Sequence, residues 1–143
     1  MLMPYTRNWL HLIWSTKNRQ PLLAKSFRQK AFYHMRENAQ SKGFYIDHIN
    51  GTANHVHLLI SLPAKVSLSD WVRLVKGESS NWINKQDFIK IRFGWQEEYI
   101  GISYNESDLN IVREYIRNQE EHHKLQSFEE EYQLLLEKYG FLV

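Results

Sequence analysis

Apolar and polar residues change period several times along this chain, and each change predicts an element. Residues 8–15 carry Trp9, Leu10, Leu12, Ile13 and Trp14, an aromatic and β-branched run that predicts a first strand. Lys17-Asn18-Arg19-Gln20-Pro21 breaks it. Between Ser26 and Lys42, Phe27, Ala31, Met35 and Ala39 recur every four residues, which predicts a helix with one apolar stripe. Gly43 stands where a helix ends. Residues 44–49 predict a second strand, Asn50-Gly51-Thr52-Ala53 a turn, and residues 54–62 a third strand stopped by Pro63. The second and third strands therefore read as a hairpin. Ser67 or Ser69 caps a second helix with the stripe Leu68, Val72, Val75, Ser79 and Ile83. Residues 99–103 predict another strand. Asn105 or Ser107 opens a third helix that turns Leu109, Val112 and Ile116 inward. Ser127-Phe128-Glu129-Glu130 has the capping-box pattern of a fourth, striped by Leu135 and Tyr139 and ended by Gly140.

The order β-α-β-β-α-β followed by helices predicts an α+β, ferredoxin-like fold. Its antiparallel sheet carries two crossover helices on one face. The other face needs a partner: a nucleic acid, a second subunit or a covering helix. The 143 residues fit one domain, 1–143, with C-terminal helices from about residue 107. With 43% hydrophobic and 14% aromatic residues the chain can build a core. It has no cysteine, which excludes disulfides and thiolate zinc sites and is compatible with the cytoplasm. No apolar run approaches the roughly 18 residues of a membrane span. Met1-Leu2-Met3-Pro4-Tyr5 lacks the charged start and apolar stretch of a signal peptide. A net charge of +2 supports nucleic-acid binding only if positive charge is local.

The candidate chemistry starts in the third strand, at His55-Val56-His57. Side chains alternate along a strand, so both imidazoles share one face while Val56, Leu58 and Ile60 share the other. Two imidazoles begin a divalent-metal site, although a lone His-x-His pair is as often surface decoration. The third helix changes the balance. Tyr115 and Gln119 stand four residues apart, one turn from each other and beside the buried stripe. A Gln carbonyl can be a third ligand, and a Tyr hydroxyl one turn away can attack what the metal polarises.

On these residues the chain resembles the small single-tyrosine HUH transposases of the insertion-sequence 200/605 type, including their repeat-associated relatives. His55-Val56-His57 matches the HUH triplet and Tyr115-Ile116-Arg117-Asn118-Gln119 the tyrosine helix. Lys76-Gly77-Glu78-Ser79-Ser80 and Asn118-Gln119-Glu120-Glu121-His122-His123 also resemble stretches of the group, over roughly residues 5–140. The resemblance implies that His55, His57 and Gln119 hold Mg²⁺ or Mn²⁺ and that Tyr115 is the nucleophile. It implies single-stranded DNA with hairpins as substrate, a 5′-phosphotyrosine intermediate, and a homodimer with sites shared between subunits. The corresponding location is the cytoplasm of a bacterium or archaeon, at the nucleoid. An N,N,O donor set suits manganese better than magnesium. Tyr104 is a rival nucleophile with no ligand one turn later. Two other functions fit the same residues: a domesticated, non-catalytic binder of hairpin DNA, and a metal-dependent phosphoesterase that uses water.

Arg73 and Lys76 on the second helix, Arg113 and Arg117 on the third, and Lys17 and Arg19 in the first loop are the expected DNA contacts. Trp95, after Gly94, is the tryptophan expected to be exposed and free to stack on a base. His122 and His123 point about 100° apart on a helix and read as surface or subunit-contact residues. Asp47 or His48 is a candidate partner for a metal-bound imidazole. Glu129-Glu130-Glu131 reads as the negative first turn of the last helix.

Overall fold

In the computed structural model, residues 5–141 are described, so Met1 to Pro4, at the expected non-signal N-terminus, lie outside the described residues. The strands are β1 (Trp9–Ser15), β2 (Tyr45–Gly51), β3 (His55–Ser61) and β4 (Ile100–Ser103). The helices are α1 (Arg28–Ser41), α2 (Leu68–Lys85), α3 (Leu109–Arg117), the single turn α4 (Gln119–His122) and α5 (Phe128–Lys138). The sheet order is β2-β3-β1-β4, with every neighbouring pair antiparallel. This is the predicted four-stranded α+β arrangement.

The two sheet faces are sorted by the alternation along β1 and β3. Leu12, Trp14, Val56, Leu58 and Ile60 pack with Phe32, Met35, Trp71 and Val75 of α1 and α2 in the main core. The opposite face is not open. Trp9 and Leu59 pack there with Leu109, Val112 and Ile116 of α3. Ile13, Ile100 and Ile102 pack with Phe128 and Tyr132 of α5. Of the three partners expected for that face, the covering helix is the one present.

Caps and turns fix how the helices approach. Ser67 caps α2 by accepting from the Asp70 N–H at 3.1 Å. Ser127 caps α5 by accepting from the Glu130 N–H at 3.1 Å. β2 runs two residues further than its pattern suggests, into Gly51, which faces Val56 across the hairpin. A Cβ at Gly51 would lie 2.1 Å from the His55 carbonyl oxygen, so only glycine allows the hairpin to close against the His-x-His strand. A register shift between Ile46 and His48 sets Asp47 out of the ladder, towards α3. Among the described residues no helix is long and apolar enough to cross a membrane.

Candidate active site

His55 and His57 lie on the face covered by α3–α5 and are fully buried. Each imidazole is held at both nitrogens. His55 Nδ1 faces Asn54 Oδ1 at 3.0 Å and Thr52 Oγ1 at 3.1 Å. Its Nε2 faces Gln119 Oε1 at 3.1 Å. His57 Nδ1 lies 2.8 Å from Nε2 of His11, which β1 carries on the same face. Its Nε2 lies 3.1 Å from Glu131 Oε1. A tautomer with Nδ1–H directed at Asn54 and at His11 would turn both Nε2 lone pairs towards one space, the form that a metal ligand needs. Burial holds His55, His57 and His11 below the usual histidine range, which keeps them neutral and able to coordinate.

Helix α3 ends at Arg117, and Gln119 opens α4 after Asn118. The turn between them is nearly helical, so Gln119 still follows Tyr115 by one turn and its Nε2 donates to the Tyr115 carbonyl at 3.2 Å. Gln119 is fully buried beside His55. The half-buried Tyr115 ring stands edge-on to His57, with centroids 5.6 Å apart. Its hydroxyl donates to Glu131 Oε2. A cavity of about 240 Å³ lined by His11, Tyr104, Ile111, Tyr115 and Tyr139 opens beside the ring. The structure therefore brings His55, His57, Tyr115 and Gln119 together within one chain.

Residues 129–131 do form the acidic first turn of α5, and Glu131 turns inward from it to the centre of this arrangement. It is 2% exposed. Its Oε1 lies 3.1 Å from His57 Nε2, 3.8 Å from His55 Nε2 and 3.2 Å from His123 Nε2, and its Oε2 lies 3.2 Å from His122 Nε2. Burial raises its pKa, but the bonds from His123 and His57 outweigh this and hold the carboxyl far below its ordinary range. The expectation of two surface histidines is corrected. His123 is largely covered, and His122 Nε2 is buried without a hydrogen-bond partner. The two do point apart; they meet because Glu131 enters between them from α5. One ligand atom from each of His55, His57, His123 and Glu131 lies within 4.8 Å of every other. A glutamate at the first turn of a helix gives no sign in sequence that it faces inward; the apolar residues beside it, Phe128 and Tyr132, were the available signal.

The expected DNA contacts are placed differently from one another. Arg73 is exposed and lies 3.5 Å from Asp70. Lys17 and Arg117 are exposed, Arg117 with Nη1 at 3.4 Å from His48 Nε2. Arg19 lies over the Phe128 and Tyr132 rings, 5.4 and 4.9 Å from their centroids. Lys76 Nζ donates to the carbonyls of Gln96 at 2.7 Å and Glu97 at 2.9 Å, and burial pulls its pKa down to about 8. Arg113 holds Asp47 with Nε to Oδ1 at 2.8 Å and Nη2 to Oδ2 at 3.0 Å. Asp47 and His48 thus serve the α3 junction and not a metal-site imidazole. Trp95 is not free: its Nε1 donates to Ser79 Oγ at 2.9 Å and its ring meets Phe93 edge-on.

The four-stranded antiparallel sheet thus carries buried paired histidines, a facing tyrosine and a buried carboxylate on one covered face. The family model described as "Transposase IS200 like" matches residues 5–119, and the chain belongs to that family. A structure assigned as a transposase from Deinococcus radiodurans R1 superposes with a TM-score of 0.60 at 24% identity, covering 83% of this chain and 96% of that one. A REP-associated tyrosine transposase bound to a REP hairpin superposes with a TM-score of 0.62 at 18% identity, covering 86% of this chain and 73% of that one. At these identities the two structures speak for the fold. No curated protein matches the sequence.

Proposed function

We propose that this transposase cuts and rejoins single-stranded DNA through a covalent 5′-phosphotyrosine on Tyr115. The observation that carries the reading is the docking of the Tyr115 hydroxyl between the buried His55–His57 pair and Glu131. The phenol oxygen forms a bond to the phosphorus, the bond to the 3′-oxygen breaks, and that oxygen takes up a proton from solvent to leave a free 3′-hydroxyl. Burial, reinforced by the Glu131 charge, raises the Tyr115 pKa. The proton therefore leaves as the new bond forms, and Glu131 Oε2 is in place to receive it. Because the phosphotyrosine conserves the cleaved bond, rejoining needs no separate energy source.

The donor set fits a divalent cation, Mg²⁺ or Mn²⁺: His55 Nε2 faces the Gln119 carbonyl oxygen, and the Nε2 atoms of His55 and His57 both approach Glu131 Oε1 in the same buried space. His55, His57 and Gln119 would hold it. When bound, such an ion polarises the phosphate and stabilises charge developing on its oxygens. The substrate proposed is DNA with hairpins, in line with the hairpin bound by the REP-associated relative. Arg73, Lys17 and Arg117 are the exposed cations proposed to meet its backbone, while the half-buried Arg19, Lys76 and Arg113 are engaged by Tyr132, Gln96 and Asp47. Here Tyr115 faces the histidines of its own chain. Sharing of sites in a homodimer would require α3 to leave Asp47 and Asn50, whose side chains hold it to β2.

The test is a labelled single-stranded hairpin oligonucleotide incubated with protein and Mn²⁺ or Mg²⁺. A denaturation-resistant protein–DNA adduct that Tyr115→Phe abolishes is expected. Cleavage that survives Tyr115→Phe would assign the chemistry to water, and binding without cleavage would assign the chain to the domesticated binders. Restored cleavage on mixing His57→Ala with Tyr115→Phe protein would show sites shared between subunits.

A further inference from the structure

We infer that His123 and Glu131 are ligands of the same cation as His55 and His57, and that Glu131 holds the nucleophile with its second oxygen. The inference rests on the metal-assisted reading above and extends it. Both residues lie beyond residue 119, where the match to the family model ends. The site would then have three imidazoles, one carboxylate and the Gln119 carbonyl, with one arm of the carboxylate tied to Tyr115.

Three observations carry it. The first is charge. Glu131 is buried, and its ion-pair partners among the described residues are all histidines; Arg19 lies over the Phe128 and Tyr132 rings. An ionised carboxylate without a formal countercharge is expensive to bury, and a divalent cation would supply that charge. The second is a shortage of protons. His55 meets oxygen acceptors at both nitrogens, Asn54 Oδ1 and Gln119 Oε1. His57 meets Glu131 at one and His11 at the other. A neutral imidazole has one N–H, so at His55 one contact lacks a proton that a metal bond would replace. The third is convergence. The four donor atoms lie within 4.8 Å of one another although they come from β3, from the turn after α4 and from α5. His122 Nε2, buried without a hydrogen-bond partner, lies 3.2 Å from Oε2 of the same carboxylate.

Glu131 divides its work. Oε1 faces the three imidazoles and Oε2 accepts from the Tyr115 hydroxyl. A cation held on Oε1 would fix the carboxylate and, through Oε2, the phenol. Loading the metal and positioning the nucleophile then depend on the docking of α5. With three nitrogens and two oxygens, the site would favour Mn²⁺, Co²⁺ or Zn²⁺ over Mg²⁺.

The test is Mn²⁺ binding to the full chain by calorimetry without DNA, with the visible spectrum of the Co²⁺-loaded protein as a second readout. The variants are Glu131→Gln, His123→Ala, Gln119→Ala and His55→Ala, each shown to be folded by circular dichroism. Glu131→Gln keeps the shape of the side chain and removes its charge. Glu131→Gln and His123→Ala are expected to weaken Mn²⁺ binding at least about tenfold and to change the Co²⁺ bands. Unchanged affinity and spectrum in both variants, with binding lost in His55→Ala, would overturn the inference and leave metal binding to the His55–His57 pair with Gln119. Absence of Mn²⁺ and Co²⁺ binding in the unmodified chain would overturn the metal-assisted reading itself.

Discussion

Replacing Arg113 by alanine tests whether the tyrosine helix is anchored to the sheet by one buried ion pair. Arg113 contacts both oxygens of Asp47, and Asp47 is 6% exposed in the β2 irregularity. Removing the guanidinium leaves the carboxylate with His48 and the Tyr45 hydroxyl. Hydrogen bonds to charged groups contribute about 1.5–3 kcal/mol each, and orphaning one partner of a fully buried pair costs about 3–5 kcal/mol. The Arg113 side chain is 27% exposed, which screens the pair. The expected loss is therefore about 2–3 kcal/mol, or about 5–10 °C in Tm for a domain of this size. The pH dependence has a defined sign. Burial raises the Asp47 pKa, but the bonds from Arg113 and His48 prevail and lower it. The stabilisation is thus complete above the ordinary carboxyl value and disappears as pH falls through the depressed one. Urea melts at pH 7 and pH 3 should show a deficit for Arg113→Ala at pH 7 that shrinks at pH 3. A double-mutant cycle with Asp47→Asn should recover most of the deficit as coupling. An unchanged Tm combined with a smaller salt slope of DNA binding would refute the anchor and make Arg113 a phosphate contact.

The remaining expectations follow from single contacts. Gly51→Ala forces a methyl group onto the His55 carbonyl and should destabilise the protein by about 1–3 kcal/mol, read from denaturant midpoints; an unchanged midpoint contradicts it. Tyr104 donates to or accepts from the Tyr139 hydroxyl at 3.0 Å and is not the nucleophile of the proposed reaction, so Tyr104→Phe should keep the covalent adduct, and its loss would reopen that assignment. Lys76, with its pKa pulled down to about 8 by burial, binds fewer protons folded than unfolded above that pH. The unmodified chain should therefore gain stability relative to Lys76→Met between pH 8 and 10, and a constant difference over that range contradicts the placement.

Much of the fold was legible because strand alternation and helical stripes are local. His55 and His57 fall on one face by period two, and the stripes of α2 and α3 name their own buried residues. The covering of the second sheet face was not legible. It depends on where α3 and α5 dock, which is a long-range matter, and the same docking buries Glu131 and partly covers His122 and His123. Each of these reads as a surface residue by its type and its neighbours. The intramolecular partners of Lys76 and Arg113 were not legible either. A cation on a helix looks the same in sequence whether it meets water, a loop carbonyl or a buried aspartate. Asp47 became legible only with the register shift that turns it out of the ladder.

The central claim is that Tyr115 becomes bonded to DNA. Mass spectrometry of protease- and nuclease-digested protein, after incubation with a single-stranded hairpin and Mn²⁺, tests it most directly. The account predicts that the peptide carrying Tyr115 gains a 5′-linked nucleotide, and that Glu131→Gln lowers its yield. A nucleotide found on Tyr104 or another residue, or cleaved DNA with no modified peptide, would contradict it.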